Sequence, residues 1–224
     1  MQDFTRIFDI DHLGLALGGK AVAAVAPDGK TVQRVQWTPE LAEALCARIR
    51  AELPADPTAP IAHRGSAPMW VMGAAMAAMY PHPNHFLPPF DGVCLTLHNL
   101  PQGELNPAAE VEFTVEREGD ILYVTYKADD PNKPQLYGGG HHSYNPELIP
   151  LIRAPIAGAD THVCLRGNSS YNVTMSIATA YFKDCKSLSI LGGGPNGPDK
   201  GYFCCASRTP ERKLGDLTAV KADN

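Results

Sequence analysis

The sequence lacks the features that mark a membrane protein, a secreted protein or a protein that binds duplex nucleic acid. Its longest apolar run, Met69 to Tyr80, is shorter than the roughly 18 to 20 residues that a membrane helix requires. The amino-terminal segment has acids and a histidine where a signal peptide has an apolar core. The net charge is -5 and the pI about 5.9, which argues against a broad basic surface. These absences predict a cytoplasmic protein with neither a membrane partner nor a duplex nucleic-acid partner.

Several well-known motifs are missing as well. The chain has no Walker loop, no G-x-S-x-G elbow and no Cys-x-x-Cys pair. Without a paired framework, the six cysteines are predicted to be reduced thiols, mostly buried as small hydrophobic residues. We expect the adjacent Cys204 and Cys205 to lie in a strand. The length of 224 residues suits one large domain or two small ones.

The same order of sequence features occurs twice along the chain. "TPELAEALCARI" (38–49) and "NPELIPLI" (145–152) each begin with a capping residue, a proline and a glutamate. Each is followed by a short apolar run, "APIAH" or "THVCL", and then by Arg-Gly. A helix that begins at hydroxyl or amide caps comes next, and two strand-like runs follow it. This order predicts two similar α/β copies.

Extended segments begin each copy. Residues 13–37, "LGLALGGKAVAAVAPDGKTVQRVQW", have the pattern of strands joined by Gly-Gly-Lys and Asp-Gly turns. Residues 109–128 have the pattern of a hairpin that turns at Glu-Gly-Asp. The run "GGGPNGPDK" (192–200) is predicted to be a loop between strands. We therefore expect an α/β fold with copies at 1–115 and 116–224, packed as a pseudo-dimer.

The two Arg-Gly turns are candidate anion sites. Arg64, Gly65 and Ser66 follow the first short strand, and Arg166 to Ser170 follow the second. A helix that begins after such a turn presents free N–H groups, and an arginine adds donors suited to phosphate oxygens. The donor residues of the second turn would be Arg166, Gly167, Asn168, Ser169 and Ser170. The alternative is an ordinary strand-to-helix turn whose arginine pairs with a surface acid.

Aromatic residues follow each turn. Trp70 and Tyr171 come early in the two helices, where either could stack on a nucleobase or belong to the core. The first helix, "WVMGAAMAAMY", is rich in small residues and methionine. That composition predicts a core or inter-copy contact, with contact to a base as the alternative.

Histidines and a carboxylate cluster in "YPHPNHFLPPFDGVCLTLH". His82, His85, Asp91 and His98 have the side chains needed for acid–base chemistry or for a divalent metal. Their spacing matches no zinc motif, and the prolines favour an exposed turn as the alternative. His141 and His142 follow "YGGG" and could line a ligand cleft or lie in a solvated loop.

Residues 63–104 resemble the small CRISPR-associated ring nucleases of type III systems, which act on cyclic tetra-adenylate. The resemblance covers the first copy and, in the second, only Arg166, Gly167 and the helix pattern. It rests on an Arg-Gly turn with a following Pro and Trp, an aromatic-Asp step, a strand ending in His, and Gly-Glu. The matching residues are Arg64, Gly65, Pro68, Trp70, Tyr80, Phe90, Asp91, His98, Gly103 and Glu104.

The resemblance implies a small α/β fold that dimerises, binds a cyclic oligonucleotide and cleaves it with support from manganese. A fused tandem copy would replace the dimer. The chain departs from the family pattern in three places. Ala77 lies where the family helix carries a metal-associated His, Asp91-Gly92 replaces Asp-Pro-Arg, and the second copy has no catalytic-looking His. Binding therefore carries over better than cleavage.

The leading hypothesis is a protein that binds and cleaves a cyclic oligoadenylate messenger across the pseudo-twofold, as an off-switch of antiviral type III signalling. Arg64 and Arg166 would hold phosphates, and His82, His85 or His98 would act with Asp91. Alternatives from other classes are a non-catalytic sensor or sponge and a structural subunit that self-associates.

Overall fold

The computed structural model describes residues 3–25, 29, 31–88, 94–128, 146–194 and 197–220, and its architecture is mixed α/β. The helices are α1 (Ile10–Ala16), α2 (Pro39–Glu52), α3 (Met69–Met79) and α4 (Tyr171–Thr179). The strands of the amino-terminal half are β1 (Arg6–Asp9), β2 (Lys20–Val25), β3 (Thr31–Gln36), β4 (Ile61–Arg64), β5 (Asn84–Phe86) and β6 (Leu95–Leu97). The remaining strands are β7 (Glu112–Glu118), β8 (Ile121–Lys127), β9 (His162–Asn168), β10 (Ser187–Gly194), β11 (Gly197–Ser207) and β12 (Leu217–Thr218).

The first sheet has the order β1-β4-β5-β6. Strands β1, β4 and β5 are parallel, and β6 is antiparallel to β5. A β2–β3 hairpin and α2 join β1 to β4, and α3 joins β4 to β5. The carboxyl ends of β1 and β4 therefore lie side by side at one edge.

The second sheet has the order β12-β11-β10-β9-β8-β7. Its central strands β8, β9 and β10 are parallel, and the strands outside them are antiparallel to their neighbours. Helix α4 joins β9 to β10. The run β8-β9-β10-β11 has the same strand order and directions as β1-β4-β5-β6 in the first sheet.

The two sheets share one core, because a helix from each half of the chain packs against the sheet of the other half. Helix α3 packs against β10 and β11 as well as α2, and α4 packs against β6. Nine of the eleven residues of α3 are buried, so the helix is apolar all round and has no solvent face. Gly73 permits the close approach, since a Cβ there would lie 3.0 Å from Cys205 Cβ.

Several expectations from the sequence are confirmed. Helix α2 begins at the predicted cap, where Thr38 Oγ1 accepts a hydrogen bond from Leu41 N and proline occupies the first turn. Residues 109–128 contain the β7–β8 hairpin, which turns at Gly119. Cys204 and Cys205 lie in β11, and five of the six free cysteines are buried, Cys94 being exposed.

Other expectations are wrong. The run "LGLAL" is helical, because Asp9 caps α1 by accepting from His12 N and Gly14 packs under the Trp37 ring. "NPELIPLI" contains only a single 3₁₀ turn at Ile149–Leu151 among its described residues.

Two expected boundaries also shift. Strands β10 and β11 extend into the glycine-rich run, pairing Gly192 with Gly201. Strand β7 crosses residue 116, so the division between the sheets falls between Leu97 and Glu112.

None of the helices in the described part of the chain has the length and hydropathy that a membrane span requires.

Candidate functional site

The first Arg-Gly turn joins the end of a strand to the start of a helix, as predicted. Strand β4 ends at Arg64, and Gly65 adopts a φ of 144°, a conformation that favours glycine. A Cβ at this position would lie 3.0 Å from Ile10 Cβ. Helix α3 then begins after Pro68, which supplies no side-chain cap. The expectation that Ser66 caps the helix is therefore wrong.

The donor groups of this turn already form hydrogen bonds to two carboxylates of the same chain. Ser66 donates to Asp11 Oδ2 from its backbone N at 2.7 Å and from its Oγ at 3.2 Å. Arg64 Nε donates to Asp9 Oδ2 at 2.8 Å, and the Arg64 side chain is 59% exposed. The turn thus has the arrangement of an anion-binding site, and the Asp11 carboxylate occupies the position of the bound anion.

The second Arg-Gly is not a turn. Arg166 and Gly167 lie inside β9 and pair with Thr125 and Tyr126 of β8. A Cβ at Gly167 would lie 2.0 Å from the Tyr126 ring, so glycine is needed there for packing against that ring. The strand bends out only after Asn168.

The serine hydroxyls of the second predicted site already have hydrogen-bond partners within the fold. Ser169 Oγ lies 3.2 Å from Tyr126 Oη. Ser170 is the N-cap residue of α4, but its hydroxyl bonds to the Asn172 amide oxygen rather than to a backbone N–H.

His85 lies on the same face of the first sheet as Arg64, whereas His98 follows the end of β6 and lies toward the start of β4, away from the Arg64 turn. His85 is level with Ala62, and Arg64 is two residues, about 7 Å, further along β4. His85 also pairs with Thr96, and His98 follows Thr96 by two residues. Thr96 is exposed and His98 half-buried, whereas the Phe4 ring covers His85 at a centroid distance of 5.1 Å.

Burial lowers the pKa of both histidines. The loss of water contact is the main cause for each, and the neighbouring His98 adds to the effect on His85. Both imidazoles are therefore neutral at pH 7, the form in which a histidine accepts a proton.

The other predicted site residues lie elsewhere. His82 is buried, and its ring nitrogens lie 3.1 Å from the Met79 and Pro54 carbonyl oxygens, so its position is structural. Trp70 is 1% exposed, which removes it as a stacking platform. Three predicted histidine or carboxylate positions, together with one aromatic of the resemblance, lie outside the described residues: Phe90, Asp91, His141 and His142.

A histidine that sequence reasoning missed joins the two halves of the core. The fully buried His63 places Nδ1 3.0 Å from Asn84 Oδ1 and Nε2 2.9 Å from Tyr171 Oη. The amide oxygen can only accept, so Nδ1 carries the proton and Nε2 accepts from the Tyr171 hydroxyl. Tyr171 is therefore a core residue, and its ring also lies 4.2 Å from that of Phe86.

A second group that sequence reasoning missed lies at the end of the second sheet where β8 and β9 begin. His162 Nε2 is 3.2 Å from Glu211 Oε2 and 3.5 Å from Asp120 Oδ2. These residues line a cavity of about 440 Å³ together with Arg212, Asp216 and Leu217. They are separated by at least 42 residues in the chain, and no local motif links them.

Comparison with protein-family models, with curated proteins and with solved structures finds no match to this chain.

Proposed function

We propose that the protein binds a cyclic oligoadenylate and that the turn Arg64-Gly65-Ser66 holds one of its phosphates. The observation that carries the proposal is the geometry of this turn, where the Ser66 backbone N–H and hydroxyl donate to one carboxylate and the Arg64 guanidinium donates to a second, beside the uncapped start of α3. A phosphate oxygen is an acceptor of the same kind as the carboxylate oxygen now bound there. The resemblance to the ring nucleases supports the choice of ligand.

In this proposal Asp11 is an internal competitor. Its carboxylate must leave Ser66 before a phosphate can bind, and Asp9 must release Arg64. Asp9 is the last residue of β1 and Asp11 lies in the first turn of α1, and a bound phosphate would repel both negative charges. Removing the charge of Asp11 should therefore strengthen ligand binding.

Cleavage would use His85, the neutral histidine on the same face of the first sheet as Arg64. His85, once Phe4 moves aside, would take the proton of a ribose 2′-hydroxyl. The 2′-oxygen would bond to the neighbouring phosphorus as the P–O5′ bond breaks, and the 5′-oxygen would take up a proton. The products are a 2′,3′-cyclic phosphate and a free 5′-hydroxyl, and the step depends on positioning and charge stabilisation.

The proposed step is written without manganese, and the test below compares both conditions, because Asp91 lies outside the described residues. Among the described residues, the first sheet and its loops contain no group of three side chains suited to a metal ion. Asp9 and Asp11, two carboxylates near the turn, already accept hydrogen bonds from it.

We also propose that the two sheets are fused copies related by a pseudo-twofold. The shared order β1-β4-β5-β6 and β8-β9-β10-β11 supports this, as do the exchanged contacts of α3 and α4. Because Arg166 lies within β9, the proposal assigns phosphate binding to the first copy.

The test is incubation with cyclic tri-, tetra- and hexa-adenylate, with and without manganese, followed by chromatography and by calorimetry of binding. We expect Arg64→Ala to weaken binding at least tenfold and Asp11→Asn to strengthen it. Arg34→Ala, which removes an exposed arginine of β3, is the matched control. No binding of any ring would refute the proposal.

The same experiment separates an enzyme from a sensor. If the ring is opened, His85→Gln should slow cleavage without changing the affinity. An intact ligand that stays bound to the wild type and to the histidine variant would identify a sensor or sponge instead.

A further inference from the structure

We propose that Asp120, His162 and Glu211 form a binding site for a divalent transition-metal ion such as Mn²⁺, Co²⁺ or Zn²⁺. This site is separate from the proposed phosphate turn and does not depend on it. Asp120 is the last residue before β8, His162 is the first residue of β9, and Glu211 lies beyond β11. Because β8 and β9 are parallel, both of their starting residues lie at one edge.

The distances between the ligand atoms suit a shared ion. Two ligand atoms bound at about 2.1 Å lie roughly 3.0 to 3.4 Å apart in octahedral or tetrahedral geometry. His162 Nε2 lies 3.2 and 3.5 Å from the two carboxylate oxygens, and all three ligand atoms lie within 4.8 Å of one another. The carboxylates are 56% and 55% exposed, so small side-chain rotations can close the remaining gap.

The histidine is held in position from behind. Ser187 Oγ lies 2.7 Å from His162 Nδ1, and both side chains are buried. The hydroxyl can accept the Nδ1 proton, which leaves the lone pair of Nε2 directed toward the carboxylates. A metal-binding histidine usually forms a hydrogen bond through the ring nitrogen that does not bind the metal.

Lys186 provides the counter-charge when no ion is bound. Its ammonium lies 3.5 Å from Glu211 Oε2 and 3.8 Å from Asp120 Oδ2. A metal ion must compete with this ammonium for the same oxygens. This competition distinguishes a metal site from a structural ion-pair network, since loss of the lysine should strengthen a metal site.

The cavity beside the three ligands leaves room for further ligands. Three protein ligands and an open position are the arrangement of a metal that binds water or substrate, rather than of a closed structural site. Nitrogen and carboxylate ligands favour borderline transition metals over Mg²⁺. Arg212 also lines the cavity, which suits an anionic molecule beside the ion.

The test is titration of the full chain with Co²⁺, followed by its visible absorption, and calorimetry with Zn²⁺, Mn²⁺ and Mg²⁺. We expect one ion per chain, with Mg²⁺ the weakest. Glu211→Gln changes an exposed side chain and should weaken binding at least tenfold, whereas Lys186→Gln should strengthen it. His162→Asn should remove the nitrogen contribution to the cobalt spectrum.

Two matched controls are available. His12→Asn and Asp160→Asn change an exposed histidine and an exposed carboxylate away from the ligand set. Equal loss of binding in these controls, weaker binding in Lys186→Gln, or no binding by the wild-type chain would each overturn the proposal.

Discussion

The buried His63 should make the protein sensitive to mild acid. Burial is the main cause that lowers the His63 pKa from 6.5 to about 4, and the Asn84 hydrogen bond opposes it only in part. The ring lies between the two halves of the core, with both nitrogens already hydrogen-bonded. A second proton on Nε2 would face the Tyr171 hydroxyl without water to stabilise it.

The size and direction of the effect follow from proton linkage. Between pH 6.5 and pH 4 the unfolded chain binds a proton at this histidine that the native state does not, so stability falls as the pH falls. A native pKa of about 4 and an unfolded pKa of 6.5 predict a loss of about 2 kcal/mol between pH 7.5 and pH 5. Above pH 7 the same group leaves the stability unchanged.

The assay is urea unfolding of the wild type and His63→Gln at both pH values. We expect the variant to be less stable at pH 7.5, because it loses core hydrogen bonds, but to lose about 2 kcal/mol less than the wild type on acidification. His12→Gln, at an exposed position, should keep the wild-type pH dependence. A His63→Gln variant with an unchanged pH dependence would refute the reasoning.

Two further predictions concern α3 and the cysteines. Gly73→Val should lower the free energy of unfolding by about 1 to 3 kcal/mol, because its side chain would meet Cys205 and Ile190, while Ala77→Val on a half-buried position of the same helix should lower it less. A thiol reagent at pH 8 should label one cysteine per native chain, Cys94, and all six in denaturant; rapid labelling of a second thiol in the native protein would contradict the burial described above.

Local patterns predicted those elements whose determinants lie within a few residues. The Thr38-Pro39 cap defines the start of α2, and the Gly119 turn defines the β7–β8 hairpin. Helix α1 could not be read this way, because "LGLAL" alternates like a strand. Its helical state depends on the Asp9 cap and on contact between Gly14 and the distant Trp37.

The candidate sites were predictable to different degrees. The first turn was visible because Arg64, Gly65 and Ser66 are consecutive, but its engagement by Asp11 depends on the parallel pairing of β1 with β4. The group around His162 had no local pattern. Only the register that aligns Ile121, His162 and Ser187 reveals it.

The packing of α3 against the second sheet has a consequence for synthesis of the protein in the cell. The strand β11 that covers this helix ends at Ser207, 128 residues after Met79. At roughly 5 to 20 residues per second, an apolar helix with no solvent face waits on the order of ten seconds for its partner. Completion of the native core is therefore tied to the synthesis of β11, and chaperones have the most apolar surface to bind before that strand is made.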